Sequence, residues 1–391
     1  MKYNFDKVID RSGTSAEKVE GLKHIWGRTD LIPLWVADMD FATAPFVTDA
    51  IRKRCENEVL GYTGKPDSYY NAIINWVKQR YDLVVAKEMI NFVPGIVPGI
   101  GMAMNCFTQK GDKVMIQPPV YHPFAWVTTR NERTLVINPL KWENGMYRMD
   151  LDAFRELIKG CKLFILCNPH NPGGVVWTEA ELRAIADICY DEKVLVFSDE
   201  IHADLTLPPH THRPFATVSE KARMNSVTFM SPSKAFNMPG LSASHALIFN
   251  EDLRKRFRIY MDAGELDMGH VFAFLSVEAA YSHGTEWLDQ CLAYIQGNID
   301  FVDDFLKNHA PKIKAIRPEA SYLVWLDCRE LKLSQKDLNE FFVDKAHLAL
   351  NDGEMFGKEG IGFMRLNVAS PRCIIEKAMK QLADAYQLYI K

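Results

Sequence analysis

The sequence has no C-x-x-C pair, no run of basic residues, no low-complexity tract, no internal repeat and no uninterrupted apolar stretch of bilayer length. Each absence removes a class of function. The eight cysteines, Cys55, Cys106, Cys161, Cys167, Cys189, Cys291, Cys328 and Cys373, are scattered. That scatter suits reduced, buried thiols better than a disulfide framework or a zinc site. A formal charge of −4 with both signs interspersed provides no field for nucleic acid or an anionic membrane, so neither is expected as a partner. The most apolar long window, residues 92–107, is broken by prolines and glycines and falls short of the ~20 residues a membrane span needs. The opening Met1-Lys2-Tyr3-Asn4-Phe5-Asp6-Lys7 lacks the apolar core of a signal peptide, and the expected location is the cytoplasm. His210 and His212 could ligate a metal, but beside Pro208 and Pro209 they read as an exposed loop, and no metal is expected.

What is present is an ordinary globular composition, 48% hydrophobic and 25% charged, over 391 residues. That length fits two domains or one large α/β domain with an appendage. The first segment, to about Phe41, reads as irregular. Its Asp38 and Asp40 read as solvated or capping carboxylates, since no histidine or third acid is near. Helices are expected from Pro45 to about Asn57 and from Asp67 to Tyr81. From Ile90 to about Asn250 apolar strands alternate with helices, the pattern of a mainly parallel sheet covered on both faces. Thr178 with Glu181 forms a capping box ahead of one of these helices. After Glu251 the pattern is long and helical to about Leu306, with a junction at Ser282-His283-Gly284. Strands near Ile313, Leu323 and Phe363, with helices from Ser334 and Pro371, complete a smaller α+β unit.

Four stretches carry chemistry. Ser231-Pro232-Ser233-Lys234-Ala235-Phe236 follows a short β-branched run, so Lys234 sits where a buried strand gives way to a loop. Lost hydration there favours the neutral amine that attacks aldehydes, although a lysine at a strand end, taken alone, is more often solvated. The apolar run Val194-Leu195-Val196-Phe197-Ser198 ends on Asp199, which points its carboxylate into the crevice where open α/β sheets bind ligands. Cys167-Asn168-Pro169-His170-Asn171-Pro172-Gly173-Gly174 also follows an apolar strand. Its Asn-Pro bonds favour a non-helical turn, with one of them expected to be cis. Pro94-Gly95-Ile96-Val97-Pro98 opens a helix whose first turn leaves the N–H groups of Ile96 and Val97 to face an anion.

Single residues have plainer alternatives. Tyr121, in a proline-flanked turn, could stack on a flat heterocycle or fill the core. Tyr62, between Gly61 and Gly64, is presented by its turn or anchors a surface loop. Arg365 lies in an apolar strand, where an arginine is costly unless a protein acid or a ligand carboxylate pairs with it.

Together these stretches resemble a pyridoxal-phosphate enzyme of the aspartate-aminotransferase fold. In finer detail they resemble its cystathionine β-lyase (C–S lyase) branch, of the bacterial MalY/PatB type. The resemblance runs from Pro33-Leu34-Trp35-Val36-Ala37-Asp38-Met39-Asp40-Phe41 through Gly61-Tyr62-Thr63 to Phe363-Met364-Arg365-Leu366-Asn367. It implies the α/β transferase fold type I: a large domain, 46–284, with a mainly parallel seven-stranded sheet between helices, and a small α+β domain from 1–45 and 285–391. It implies pyridoxal 5′-phosphate, held covalently by Lys234, with Asp199 on the pyridine nitrogen, Asn171 and His202 at the ring oxygen and Tyr121 stacked on the ring. Ser231, Ser233 and the N–H groups of Ile96 and Val97 would take the phosphate, with Tyr62 from the other subunit of a homodimer whose sites are shared. Arg365, Asn171 and backbone near Val36 and Ala37 would bind the substrate carboxylate.

The implied reaction cleaves cystathionine or another cysteine S-conjugate to thiol, pyruvate and ammonia, with an aminotransferase as the alternative and a non-catalytic regulator as the outsider. Two positions depart from the aminotransferase pattern. Ser242 stands eight residues after the lysine, where most aminotransferases of this fold carry a phosphate-binding arginine, and His202 stands where many carry tyrosine.

Overall fold

The computed structural model describes residues 2–389. Its centre is a seven-stranded sheet in the order Ile90–Val93, Ser244–Leu247, Ser226–Met230, Leu195–Asp199, Cys161–Cys167, Lys113–Ile116, Thr134–Ile137. Only Ser244–Leu247 runs antiparallel to its neighbours; the other pairs are parallel. The inner strands are largely apolar without alternation because helices cover both faces and, beyond Lys162 and Leu195 at the strand starts, the side chains are enclosed. Cys167 pairs with Asp199, and Asp199 with Phe229, so three successive strands deliver their carboxyl ends, and the loops that follow, to one edge.

A second, four-stranded antiparallel sheet has the order Lys314–Ile316, Leu323–Asp327, Phe363–Asn367, Asn351–Asp352. The short strand Ile32–Pro33 pairs in parallel with Leu348–Ala349, which ties the start of the chain to this C-terminal part. Of the helices, Asp67–Tyr81 runs between the expected residues. The capping box at Thr178 forms as read, with Thr178 accepting from the Glu181 N–H and Glu181 from the Thr178 N–H.

Three local expectations are corrected. The first segment is not wholly irregular, because Glu17–Trp26 is a helix. Its apolar face is short and interrupted by Gly21, which is glycine because a Cβ there would lie 3.1 Å from the Trp35 ring. The helical run after Glu251 is broken between Glu251–Asp262 and Val271–His283. Gly269 turns there at φ +61°, and His270 caps the next helix by accepting from the Ala273 N–H. His212 is not in an exposed loop: it is buried, with Nε2 2.8 Å from the Glu200 carboxylate, while His210 remains exposed.

Helix Ile96–Phe107 is pressed onto the sheet at Gly99, where a Cβ would meet Val93 at 2.9 Å and Phe229 at 3.2 Å. That approach sets where the helix N-terminus stands relative to the strand ends. Gly99→Ala is therefore expected to destabilise the protein by about 1–3 kcal/mol through overpacking. Urea unfolding measures this, and an unchanged midpoint would show that the helix has room to move.

Candidate active site

The loop after Ser226–Met230 is fixed at both of its ends. Ser231 Oγ accepts the Ser233 N–H at 3.1 Å and donates to Ala243 O at 2.7 Å. Asn237, at φ +53°, accepts from the Met39 N–H and donates to Met39 O and Phe41 O. Lys234, carried between these anchors, donates Nζ to Ala37 O at 2.5 Å. Burial, and secondarily the Arg365 guanidinium, bring its pKa down to about 8 against the opposing pull of Asp38 and Asp199.

Asp199 closes its strand with one carboxylate oxygen accepting the Ile201 N–H at 3.1 Å. No cation lies within ion-pair distance of it among the described residues. Burial, with Glu200 adding to it, pushes its pKa up to about 7, so an enclosed carboxyl holds its proton near neutrality. His202 is the converse case. Burial and two nearby cations, Lys234 and Arg365, push its pKa down to about 3, leaving a neutral ring whose Nδ1 has no partner among the described residues.

The turn after Cys161–Cys167 is held by Trp177 Nε1 on Cys167 O and by the Asn171 N–H on Cys167 Sγ. Both of its Asn-Pro bonds are cis. Asn171 Oδ1 accepts from Arg365 Nη1 at 3.1 Å, which leaves the amide N–H groups as its outward donors. Arg365, buried on Phe363–Asn367, also donates to Trp35 O and Asn351 Oδ1 and lies over the Phe356 ring at 4.8 Å. Every acceptor is neutral, and among the described residues no acid pairs with it. Burial depresses its pKa to about 10, and Nε is unsatisfied. Of the two partners expected for it, the protein acid is therefore absent.

A cavity of about 210 Å³ joins these parts. Lys234, Asp199, His202, Asn171, Tyr121, Ser233, Ala37, Ile96 and Val97 all line it, and Gly95, at φ +144°, turns the chain into the helix there. Arg365 stands behind Asn171 rather than in the wall. Two further residues expected here are also absent from the lining. Ser231 has its hydroxyl committed to Ala243 O behind Ser233, and Val36 turns its carbonyl to Asn367. Tyr62 is 98% exposed and lines a separate recess with Asp262, Asp267 and Met268.

Sequence reasoning noted Ser242 only as a departure from the aminotransferase pattern and missed Ser244; both line the cavity with Ile96 and Val97. Their signal is the small-residue triplet Ser242-Ala243-Ser244 shortly after the lysine. It also misread Asp38 and Asp40, which are mostly enclosed and ion-paired rather than solvated or capping. Both pair with Arg11 and with Lys18, whose side chain is wholly buried. A lysine in a short polar helix gives no sign of this in one dimension.

Residues 29–382 match the family of class I and II aminotransferases. The chain is 38% identical to cystathionine beta-lyase PatB of Bacillus subtilis, over 98% of this chain and 99% of that one. It is 31% identical to protein MalY of Escherichia coli, over 98% of each. Among solved structures, cystalysin from Treponema denticola, which contains a pyridoxal 5′-phosphate cofactor, superposes with a TM-score of 0.96 at 34% identity over the whole of both chains. The PLP-bound C-S lyase from Staphylococcus hominis does so with 0.91 at 36% identity, over 98% of each chain.

The raised pKa of Asp199 has a sign that stability measurements can read. The unfolded carboxyl loses its proton near pH 3.8 and the folded one near 7, so folding stability attributable to this group falls as pH rises between those values. In the ligand-free chain, Asp199→Asn removes that penalty while keeping the oxygen that accepts from Ile201. Its stability gain over wild type is expected to grow by on the order of 2 kcal/mol between about pH 5 and pH 8. Thermal unfolding at the two pH values measures it, and a pH-independent difference contradicts the shift.

Proposed function

The chain belongs to the class I and II aminotransferase family, and from that premise we propose a pyridoxal 5′-phosphate-dependent carbon–sulfur β-lyase that acts on cystathionine or a related cysteine S-conjugate. The observation that carries the reading is that Lys234 and Asp199 face one cavity with their proton affinities displaced in opposite directions. The amine is brought toward neutrality, as attack on an aldehyde requires, and the acid carries a proton that it can pass to a pyridine nitrogen, leaving a carboxylate paired with a pyridinium.

The residues present fit the cofactor on three counts and its amino-acid substrate on a fourth. Among the described residues Asp199 has no cation of its own, and it would gain one from a protonated ring nitrogen. The Asn171 amide has N–H groups free to donate to a ring oxygen. Among the described residues the first N–H groups of helix Ile96–Phe107 have no backbone acceptor, and Ile96 and Val97 line the cavity together with Ser233, Ser242 and Ser244, which suits a phosphate. Among the described residues Arg365 has no anion, and it suits an α-carboxylate. When bound, the cofactor supplies an electron sink for the pair of electrons left at Cα.

The roles of the chain's own residues follow. Lys234 holds the aldehyde carbon and, once released, takes the Cα proton on Nζ. Asp199 keeps a proton on the ring nitrogen, and neutral His202 and Asn171 set the hydrogen bonding of the ring oxygen. The Tyr121 ring covers one face of the heterocycle. Ile96, Val97 and Ser233 bind the phosphate, with Ser231 bracing Ser233 from behind. Arg365 with Asn171, and the backbone at Ala37, orient the substrate carboxylate so that the Cα–H bond is the one broken, after which the thiolate can leave Cβ. With one water consumed, the products are thiol, pyruvate and ammonia.

The same reading makes the protein a homodimer. Tyr62 is nearly fully exposed beside exposed Val59 and Leu60, which suits contact with the phosphate end of a second subunit's site. It divides the chain near residues 45 and 285, where helix Val271–His283 gives way at Gly284 to Thr285–His309. It also makes the enzyme cytoplasmic, which the eight free cysteines suit; no helix among the described residues is long and apolar enough to cross a membrane.

Thiol and pyruvate are expected from cystathionine, cystine or S-alkyl cysteines with no keto acid added. Silence across that panel refutes the lyase, whereas turnover that needs a keto acid makes the chain an aminotransferase. Lys234→Ala is expected to lose both elimination and the visible absorbance of the covalently held cofactor, and normal turnover in that variant refutes the assignment. Arg365→Ala is expected to raise KM chiefly for substrates with a free carboxylate. An equal effect on carboxyl-blocked analogues counts against the clamp.

A further inference from the structure

Residues 35–38 form a strap that reaches the cavity at Ala37, and each of its four carbonyls is taken by a side chain. Arg365 Nη2 donates to Trp35 O at 3.0 Å, and Asn367 Nδ2 donates to Val36 O and to Asp38 O, each at 2.7 Å. Ala37 O accepts twice, from Lys234 Nζ at 2.5 Å and from the Tyr322 hydroxyl at 2.9 Å. Tyr322 is wholly buried, and burial raises its pKa well above that of a free phenol, so it remains a donor at any working pH.

Behind the strap stands a four-charge cluster. Lys18 Nζ lies 2.9 Å from the Asp40 carboxylate, 3.5 Å from that of Asp38 and 3.4 Å from Asp38 O, with its side chain wholly enclosed. Arg11 caps the two acids from outside at 2.6 and 3.2 Å. Enclosing a lysine is costly unless its partners hold it closely. Here two carboxylates and a backbone oxygen do so, and the part of the chain they fix is the one that carries Ala37 O.

A neutral amine has two N–H groups and one lone pair. Giving one N–H to a fixed carbonyl restricts where the lone pair points. A carbonyl that already accepts from a tyrosine also competes less well for an ammonium. The charged and titratable groups facing Lys234 are Asp38 on the strap, Asp199, Arg365 and His202, and Asp38 is the one the Lys18 cluster restrains.

We propose that Tyr322 and Lys18 are positioning residues for Lys234, Tyr322 by sharing Ala37 O and Lys18 by fixing the strap, so that the unengaged amine rests on Ala37 O in one orientation. The proposal rests on the reading of Lys234 as the residue that holds the cofactor. It assigns work to two residues that touch neither the cofactor nor the substrate.

The test follows capture of pyridoxal 5′-phosphate by the full-length chain freed of cofactor, read by absorbance across about pH 6 to 10. Tyr322→Phe removes one oxygen from a buried ring and is the primary variant. Its capture midpoint is expected to rise by about 0.5–1 pH unit, because Ala37 O, freed of one donor, binds the ammonium better. Lys18→Met is expected to move the midpoint the same way, since it strips a cation from Asp38. If that variant does not fold, Tyr322→Phe decides alone.

Pyridoxine 5′-phosphate, which lacks the aldehyde, is expected to bind Tyr322→Phe as it binds wild type. An unmoved midpoint in folded Tyr322→Phe overturns the proposal, and so does a matching loss of pyridoxine 5′-phosphate affinity, which signals general damage to the site. A wild-type chain that captures the cofactor at Lys234 but releases no thiol removes the lyase reading and leaves this one standing. A wild-type chain that captures nothing removes both.

Discussion

Ionisable groups shut away from water must find counter-charges, lose their charge or wait for a ligand that supplies what is missing. The centre of this protein does the last two. Lys234 and Asp199 share a cavity, yet among the described residues they make no ion pair with each other. Burial pushes the amine toward neutrality and the acid toward its protonated form, so each reduces its own penalty by shifting its proton affinity. Arg365 cannot deprotonate near neutrality and is held instead by amide and carbonyl oxygens that solvate it without cancelling its charge. The scaffold exists to hold these three groups in that state.

Rigidity is what makes such a state affordable. If the loops could relax, Lys234 would swing to Asp38 or Asp199 and the amine would be lost as a nucleophile. Asn237 prevents this on one side, with three hydrogen bonds to residues 39–41, and the Ser231 turn prevents it on the other. The parallel register that sets Cys167, Asp199 and Phe229 side by side gives all three loops a common rigid base. Gly174 adds a tight approach, since a Cβ there would lie 2.5 Å from Pro318, so the Asn171 turn is backed by residues from the C-terminal part.

The parts of this arrangement that could be read in the sequence are those where local chemistry and chain position coincide. Asp199 is legible because a carboxylate ending a continuous apolar strand has few structural uses. Lys234 and Asn171 are legible because turn-forming residues follow strands of the same kind. The Gly-Pro opening of helix Ile96–Phe107 is legible because backbone N–H groups at a helix start need no side chain. The misreadings have a common cause, which is pairing across long sequence separations. Asp38 and Asp40 look solvated until Lys18, some twenty residues earlier, is folded back beneath them. His212 looks exposed until Glu200 is placed against it. The helix Glu17–Trp26 was missed because its stability comes from the strap it packs on rather than from its own pattern.

The distribution of compensated and uncompensated charge also says which part of the site is fixed and which is adjustable. Arg11, Lys18, Asp38 and Asp40 sum to zero and pair with one another, so a ligand entering the cavity gains less from them than from the unpaired groups. They belong to the frame. Arg365, Asp199 and the helix N-terminus stand on the other side of that line. Each would gain a partner from a ligand with a carboxylate, a protonated ring nitrogen and a phosphate, held in a fixed order along the cavity. Lys234 sits on the boundary, donating to a carbonyl of the frame while its lone pair serves the ligand. A change in the frame therefore reaches the chemistry through the lysine's orientation and proton affinity first, and only afterwards through binding.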